Sequence, residues 1–132
     1  MTERHAVYEG SFETTTFWVD GEPRPKQSYR ALKSGGGYQP ARVKAWQDTV
    51  AWKAHEVMAA SESQPLTGNV SMVLSFVLGN NRRVDLDNLS KGTLDALRGI
   101  VFVDDCQIVK MTVEKRVGDE PGVWISIISV NP

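Results

Sequence analysis

Apolar and polar positions along the chain change their period repeatedly, and each change predicts an element. Thr14-Thr-Thr-Phe-Trp-Val-Asp20 is β-branched and aromatic and stops at Gly21, the pattern of a strand. After Pro40, Val43, Trp46, Val50, Ala54 and Val57 recur at spacings of three and four, which puts them on one face of a helix. Ser61 to Gly68 breaks that period. Val70, Met72, Leu74, Phe76 and Leu78 then alternate with Ser71, Val73, Ser75 and Val77, and both sets are apolar enough for an interior strand. Leu86, Leu89, Thr93, Ala96 and Leu97 return to helical spacing. Arg98-Gly99 looks like the helix end. Val109, Met111, Val113 and Val117 alternate again, Gly118-Asp-Glu-Pro-Gly122 reads as a hairpin loop, and Val123 to Val130 is the last strand.

The order β-α-β-α-β-β predicts an α+β fold, a mixed sheet with two main helices packed on one face. At 132 residues the chain suits a single small domain. Residues 1–12 are polar and aperiodic and read as a flexible tail. Residues 21–40, rich in proline and glycine, read as a long basic loop in which Ser34-Gly-Gly-Gly37 is expected to be mobile.

Composition narrows the function classes. One cysteine, Cys106, excludes an intramolecular disulfide and a multi-cysteine zinc cluster. No apolar run is long enough for a signal peptide or a membrane span, so a cytoplasmic protein is expected, with no membrane partner. The net charge of −1 argues against a passive nucleic-acid coat. Its distribution matters more than its sum. From Pro23 to Gln47 there are six basic residues, Arg24, Lys26, Arg30, Lys33, Arg42 and Lys44, and no acid. A carboxylate-lined site elsewhere lowers the total without weakening this local field.

The acids are concentrated in Arg83-Val-Asp-Leu-Asp-Asn-Leu-Ser-Lys91 and Asp104-Asp-Cys-Gln-Ile108. Asp85 and Asp87 are two apart and share a side if that segment is extended. Two carboxylates on one side repel unless a cation joins them, which suggests a hard metal. Asp87, Lys91 and Asp95 are four apart and lie along one face of a helix. Phosphodiester hydrolysis needs a water made nucleophilic and a developing negative charge stabilised. Carboxylate-held magnesium does both, and a neighbouring lysine can stabilise the leaving oxygen. Arg82 and Arg83, just upstream, could hold the phosphate backbone. A plainer account fits the same residues: Asp87 as a helix N-cap, Asp87, Lys91 and Asp95 as a solvated ion-pair ladder, and Asp104-Asp105 as a turn. An EF-hand does not fit, since the glycine and the final glutamate of such a loop are Ser90 and Ala96 here.

These motifs resemble the RusA family of Holliday-junction resolvases, whose signature is similar to R-x-D-x-D-N-x-x-K, then L-D-A-L, then D-D-x-Q-[IV]. Arg83 to Lys91, Leu94-Asp-Ala-Leu97 and Asp104 to Ile108 keep both its identities and its spacing. Pro23-Arg-Pro-Lys-Gln, with Tyr38-Gln-Pro downstream, resembles the proline- and lysine-rich loop of many phage-borne members. The resemblance implies a homodimeric endodeoxyribonuclease that uses Mg²⁺, with Mn²⁺ able to substitute, and nicks four-way DNA junctions in symmetric pairs. It places metal ligands at Asp85, Asp87 and Asp105 and a functional lysine at Lys91. Asp104 becomes an accessory candidate and Asp95 a structural residue. DNA contacts are expected from Arg24, Lys26, Arg30, Lys33, Arg82 and Arg83. A junction-binding accessory protein without cleavage and a metal-dependent hydrolase of small phosphate esters remain alternatives; the second leaves the basic stretch 23–47 without a purpose. His5 and His55 are not expected to bind metal, Cys106 is expected to be a small packed side chain, Trp46 a core residue and Trp52 a candidate for exposure.

Overall fold

Backbone hydrogen bonds fix how the predicted strands meet. The computed structural model describes residues 8–10, 14–26 and 40–130. In chain order these form β1 (Tyr8–Gly10), β2 (Thr14–Asp20), α1 (Ala41–Ala60), β3 (Val70–Leu78), α2 (Leu86–Leu97), a 3₁₀ turn (Asp105–Gln107), β4 (Ile108–Val117) and β5 (Gly122–Ser129). The sheet order is β1-β2-β5-β3-β4. β3 and β4 run parallel, which requires the crossover that α2 supplies. The other pairs are antiparallel, so the sheet is mixed and the fold is α+β.

The period of two becomes a two-sided sheet. Phe17 and Val19 of β2, Val123, Ile125 and Ile127 of β5, and Val70, Met72, Leu74, Phe76 and Leu78 of β3 are buried on one face. The period of 3.6 supplies the opposing layer. The five residues predicted for the inner face of α1, from Val43 to Val57, are its buried ones, and α2 adds Leu89, Leu94 and Leu97 to the same core. β3 is interior, flanked by β4 and β5. Gly99 closes α2 with φ +84°, a conformation that glycine adopts without strain.

Two expectations are corrected. Residues 8–10, read as part of a loose tail, pair with β2 as β1; without them β2 would offer its backbone groups to water along an open edge. Gly118–Gly122 is not a hairpin. Because α2 returns β4 parallel to β3, β5 lies on the other side of β3, and the connection passes over the end of β3. There the Gly118 N–H donates to the Leu78 carbonyl at 2.9 Å and the Gly21 N–H to the Pro121 carbonyl at 3.1 Å. β4 therefore ends up on the sheet edge, and Val109, Met111 and Val117 of its alternating set are exposed. Among the described residues no helix is long and apolar enough to cross a membrane.

Candidate active site

The segment after β2 lies across α2 and is fastened at both ends. The Glu22 carboxylate accepts the Gly79 N–H at 3.0 and 3.1 Å. A Cβ on Gly79 would stand 2.5 Å from Glu22 Oε1, so a larger residue there would push the Glu22 carboxylate aside. Arg82 bonds both Glu22 and the Pro23 carbonyl. Further along, the Lys26 N–H donates to the Asn88 carbonyl at 2.9 Å, and Lys26 Nζ reaches Asp95 Oδ2 at 2.6 Å. Gly92 makes room for the crossing: a Cβ there would lie 3.3 Å from the Lys26 nitrogen. From the other side Gln47 Nε2 donates to the Gly92 carbonyl at 3.2 Å and ties α1 to α2.

The first pair of acids stands at the N-terminus of α2. Asp85 is the N-cap residue in extended conformation, yet its side chain makes no capping hydrogen bond. Asp87 lies in the first turn. Both are exposed, and the positive end of the helix dipole favours negative charge there. The same-side argument for an extended pair does not hold, because the helix has already begun at Leu86. Lys91 Nζ lies 3.3 Å from Asp87 Oδ2, one turn along the same face.

The D-D-x-Q motif divides its work among its residues. Asp104 caps the 3₁₀ turn, accepting the Cys106 N–H at 3.3 Å. Gln107 is a buried rivet: its Oε1 accepts the N–H groups of Val103 and Asp104, both at 2.8 Å, and its Nε2 donates to the carbonyls of Leu66 and Gly68 at 2.8 and 2.7 Å. Asp105 is turned inward as a result. It is half-buried, and its Oδ1 is fully enclosed without a hydrogen-bond partner. Burial holds the Asp105 carboxyl above the usual carboxylate range; Arg98 and Lys26 oppose the shift, while Asp95 and Asp104 add to it. Asp104 is shifted the other way, first by its hydrogen bond with the Cys106 side chain.

Three carboxylates are a hard-oxygen donor set suited to a small divalent cation, and an enclosed, unpartnered Asp105 oxygen suits one as well. Among the described residues, however, no three acidic, histidine or cysteine side chains are gathered closely enough to hold a metal ion. The expected convergence of Asp85 and Asp87 with Asp105 on one ion is therefore not reached among the described residues. The helix explains why. Asp85 and Asp87 sit at its N-terminus, whereas Asp105 lies among the charges of its C-terminal half, and Asp87 to Asp95 is about 12 Å along the axis at about 1.5 Å per residue.

The family model for endodeoxyribonuclease RusA matches residues 20–128, from the end of β2 through almost all of β5. The chain belongs to the RusA endodeoxyribonuclease family. It is 28% identical to the crossover junction endodeoxyribonuclease RusA of Aquifex aeolicus (strain VF5), over 87% of this chain and 91% of that one. It is 30% identical to the uncharacterized protein YqaN of Bacillus subtilis (strain 168), over 87% of this chain and 96% of that one.

Within this chain the basic residues fall into distinct groups. Arg83 is exposed beside Asp85, and Arg24 is half-buried on the crossing segment. Arg82 and Lys26, expected to touch DNA, are engaged with Glu22 and Asp95. Arg30 and Lys33, together with the Ser34–Gly37 stretch and His5, lie outside the described residues. His55 is exposed, as is Trp52 at 74%, while Trp46 is core. Cys106 is exposed rather than packed, because its turn spends its inward position on Gln107. Its thiol is pushed up, first by the hydrogen bond to Asp104, which disfavours a nucleophilic thiolate. Glu22 and Gly92 escaped the sequence reading. Gly92 did carry a signal, since a glycine inside a helical pattern marks close approach of another backbone.

Proposed function

We propose that this chain is a Mg²⁺-dependent endodeoxyribonuclease that resolves four-way junctions as a homodimer, by paired symmetric nicks. Family membership carries the nuclease and junction-resolving part of that reading. The observation that carries the chemistry is the enclosed, unpartnered oxygen of Asp105, in a turn that Asp104 caps and Gln107 anchors.

Asp85, Asp87 and Asp105 would hold the cation, with Mn²⁺ as a substitute. When bound, it supplies an activated water and stabilises charge on the phosphate. The chain's own groups then have separate tasks. Lys91, held beside Asp87, offers an ammonium to a phosphate or leaving oxygen on the exposed face of α2. Arg83 and Arg24 grip the backbone, with Arg30 and Lys33 further along the same basic stretch. Arg82 and Glu22 hold the root of that stretch against the acids, and Lys26 balances Asp95. A two-fold dimer offers two equivalent sites to the two equivalent strands of a junction.

The test is nicking of four-way and linear DNA of matched sequence, with Mg²⁺, with Mn²⁺ and with EDTA. Paired nicks in the junction, lost in EDTA and absent from the linear duplex, are expected. Metal-independent binding without nicking would make the chain an accessory protein.

A further inference from the structure

β4 is a ten-residue strand that, among the described residues, pairs only with β3 and forms the outer edge of the sheet. Edge strands of that length are ordinarily shortened, covered, charged, bulged or broken by proline, because their open backbone groups invite pairing; β4 does carry charges, and Lys110 and Glu114 among them are of opposite sign and four apart. β4 contains no proline, and its only register shift lies at its start, opposite Val70 and Ser71. Of the five large apolar side chains exposed among the described residues, Val109, Met111 and Val117 are on it. The open face of the sheet covers its own aromatic surface instead: Trp18 packs 5.4 Å from Trp124 and is 1% exposed. Trp52 on α1 and Val103 before the 3₁₀ turn are the other two of the five, so the densest exposed apolar surface is on β4.

The sequence of β4 indicates what covers it. Lys110 and Glu114 stand opposite Ser71 and Ser75 of β3, on the open face, whereas Met111 and Val113 stand opposite Met72 and Leu74, on the helical face. Ser75 donates to the Glu114 carboxylate at 2.7 Å and steadies it there. Lys110-Met-Thr-Val-Glu114 is balanced about Thr112. An antiparallel copy centred on that residue puts Lys110 opposite Glu114 of the partner subunit, Met111 opposite Val113 of the partner subunit, and Thr112 against itself. Each of these is a favourable cross-strand combination. Centring on Val113 instead sets Lys110 against Arg116 of the partner subunit, a like-charge pair made twice.

We propose that β4 pairs antiparallel with β4 of a second copy, about a two-fold axis through Thr112. This rests on the reading of the chain as a dimeric nuclease and says which surface makes the dimer. Such an axis runs through the sheet, so both helical layers lie on the same side. Because α2 packs against β4, the two α2 helices and their acids flank the axis and face one DNA junction together.

The test reads oligomeric state without DNA or metal. In a Cys106→Ser background, Thr112→Cys is oxidised and run under non-reducing conditions, with Trp52→Cys as the exposed control. Sedimentation compares Lys110→Glu, Glu114→Lys and the double reversal. Expected are a covalent dimer from Thr112→Cys alone, at least a tenfold weaker self-association in each single reversal, and recovery in the double. In one chain the two residues are too far apart along the strand to compensate each other, so recovery points to a partner. A monomer, or a dimer that neither cross-links at Thr112 nor responds to the reversals, overturns the proposal. Nicking is measured separately. An active chain with a different interface overturns this inference alone, and a chain that dimerises through β4 without nicking overturns the nuclease reading alone.

Discussion

Lys26 and Asp95 meet at 2.6 Å across α2, although 69 positions separate them in the chain. The contact is made possible by Gly92, over which the backbone of Lys26 passes. Its electrostatic sense comes from Asp105, on which Asp95 acts as a like charge and Lys26 as an opposite one. The lysine that sequence suggested for DNA thus balances an acid next to the candidate metal ligand.

From this contact we expect Lys26→Met to cost little stability, about 0–1 kcal/mol, because the pair is 39% and 28% exposed. The cost should fall when Asp95→Asn is added, since the neutral partner no longer needs compensation. Denaturant unfolding of the two single variants and the double closes the cycle. Additive losses would show that the two side chains do not interact in solution.

Arg82 and Arg83 are neighbours with different fates, and substitution should separate them. Arg82→Ala leaves the Glu22 carboxylate and the Pro23 carbonyl short of a donor, a loss of about 1–3 kcal/mol in stability. Arg83→Ala touches none of these bonds. It should leave stability nearly unchanged and lower the salt dependence of junction binding by roughly one phosphate contact. Fluorescence binding titrations across a salt series, beside thermal melts, distinguish the two. A reduced salt slope for Arg82→Ala in a folded protein would return that residue to the DNA surface.

How legible the chain was depends on whether a residue's role is periodic or relational. α1, β2 and β3 were readable because burial follows their period, so that Val43, Trp46 and Val50, or Met72 and Leu74, announce the buried face. The path of β5 was not readable. Its alternation says that it is a strand but not that it lies between β2 and β3, and the turn residues at Gly118–Gly122 suit a hairpin equally well. Nor does alternation in β4 reveal an edge position. At the site, the spacing of Asp85 and Asp87 and the resemblance of the Asp104–Ile108 motif named the candidates, but the distances among them depend on where α2 starts. Glu22 lay outside any motif; its meaning comes from Gly79, 57 residues on, which no local pattern connects to it.

Neutralising the candidate ligands should separate chemistry from affinity. Asp85→Asn, Asp87→Asn and Asp105→Asn are each expected to abolish nicking while retaining junction binding. Asp85 and Asp87 are exposed, so their variants should also fold normally. Loss of a carboxylate lowers the repulsion of phosphate, and binding can tighten. Gel-shift and nicking assays on the same preparations decide it. Full nicking by any one variant would remove that residue from the ligand set.

Asp105 has an effect on stability that does not depend on catalysis. Its carboxyl is held above the ordinary value of 3.8 in the folded chain, chiefly by burial. A raised carboxyl favours the folded state while it is protonated, and that contribution disappears as pH rises through the shifted value. Above it, the folded protein carries an ionised oxygen that is enclosed and unpartnered. Asp105→Asn removes the charge. The variant should therefore melt higher than the native chain at about pH 7, and the difference should shrink toward about pH 3, where both states of the native carboxyl are protonated. Excess Mg²⁺ should then raise the melting temperature of the native chain more than that of the variant, because an amide is a poorer ligand than a carboxylate and only ligand bound to the folded state stabilises it. Thermal melts at the two pH values, with and without Mg²⁺, check both parts. If the variant melts lower at neutral pH, a donor reaches Asp105 in solution; if Mg²⁺ shifts both proteins equally, the ion is held elsewhere.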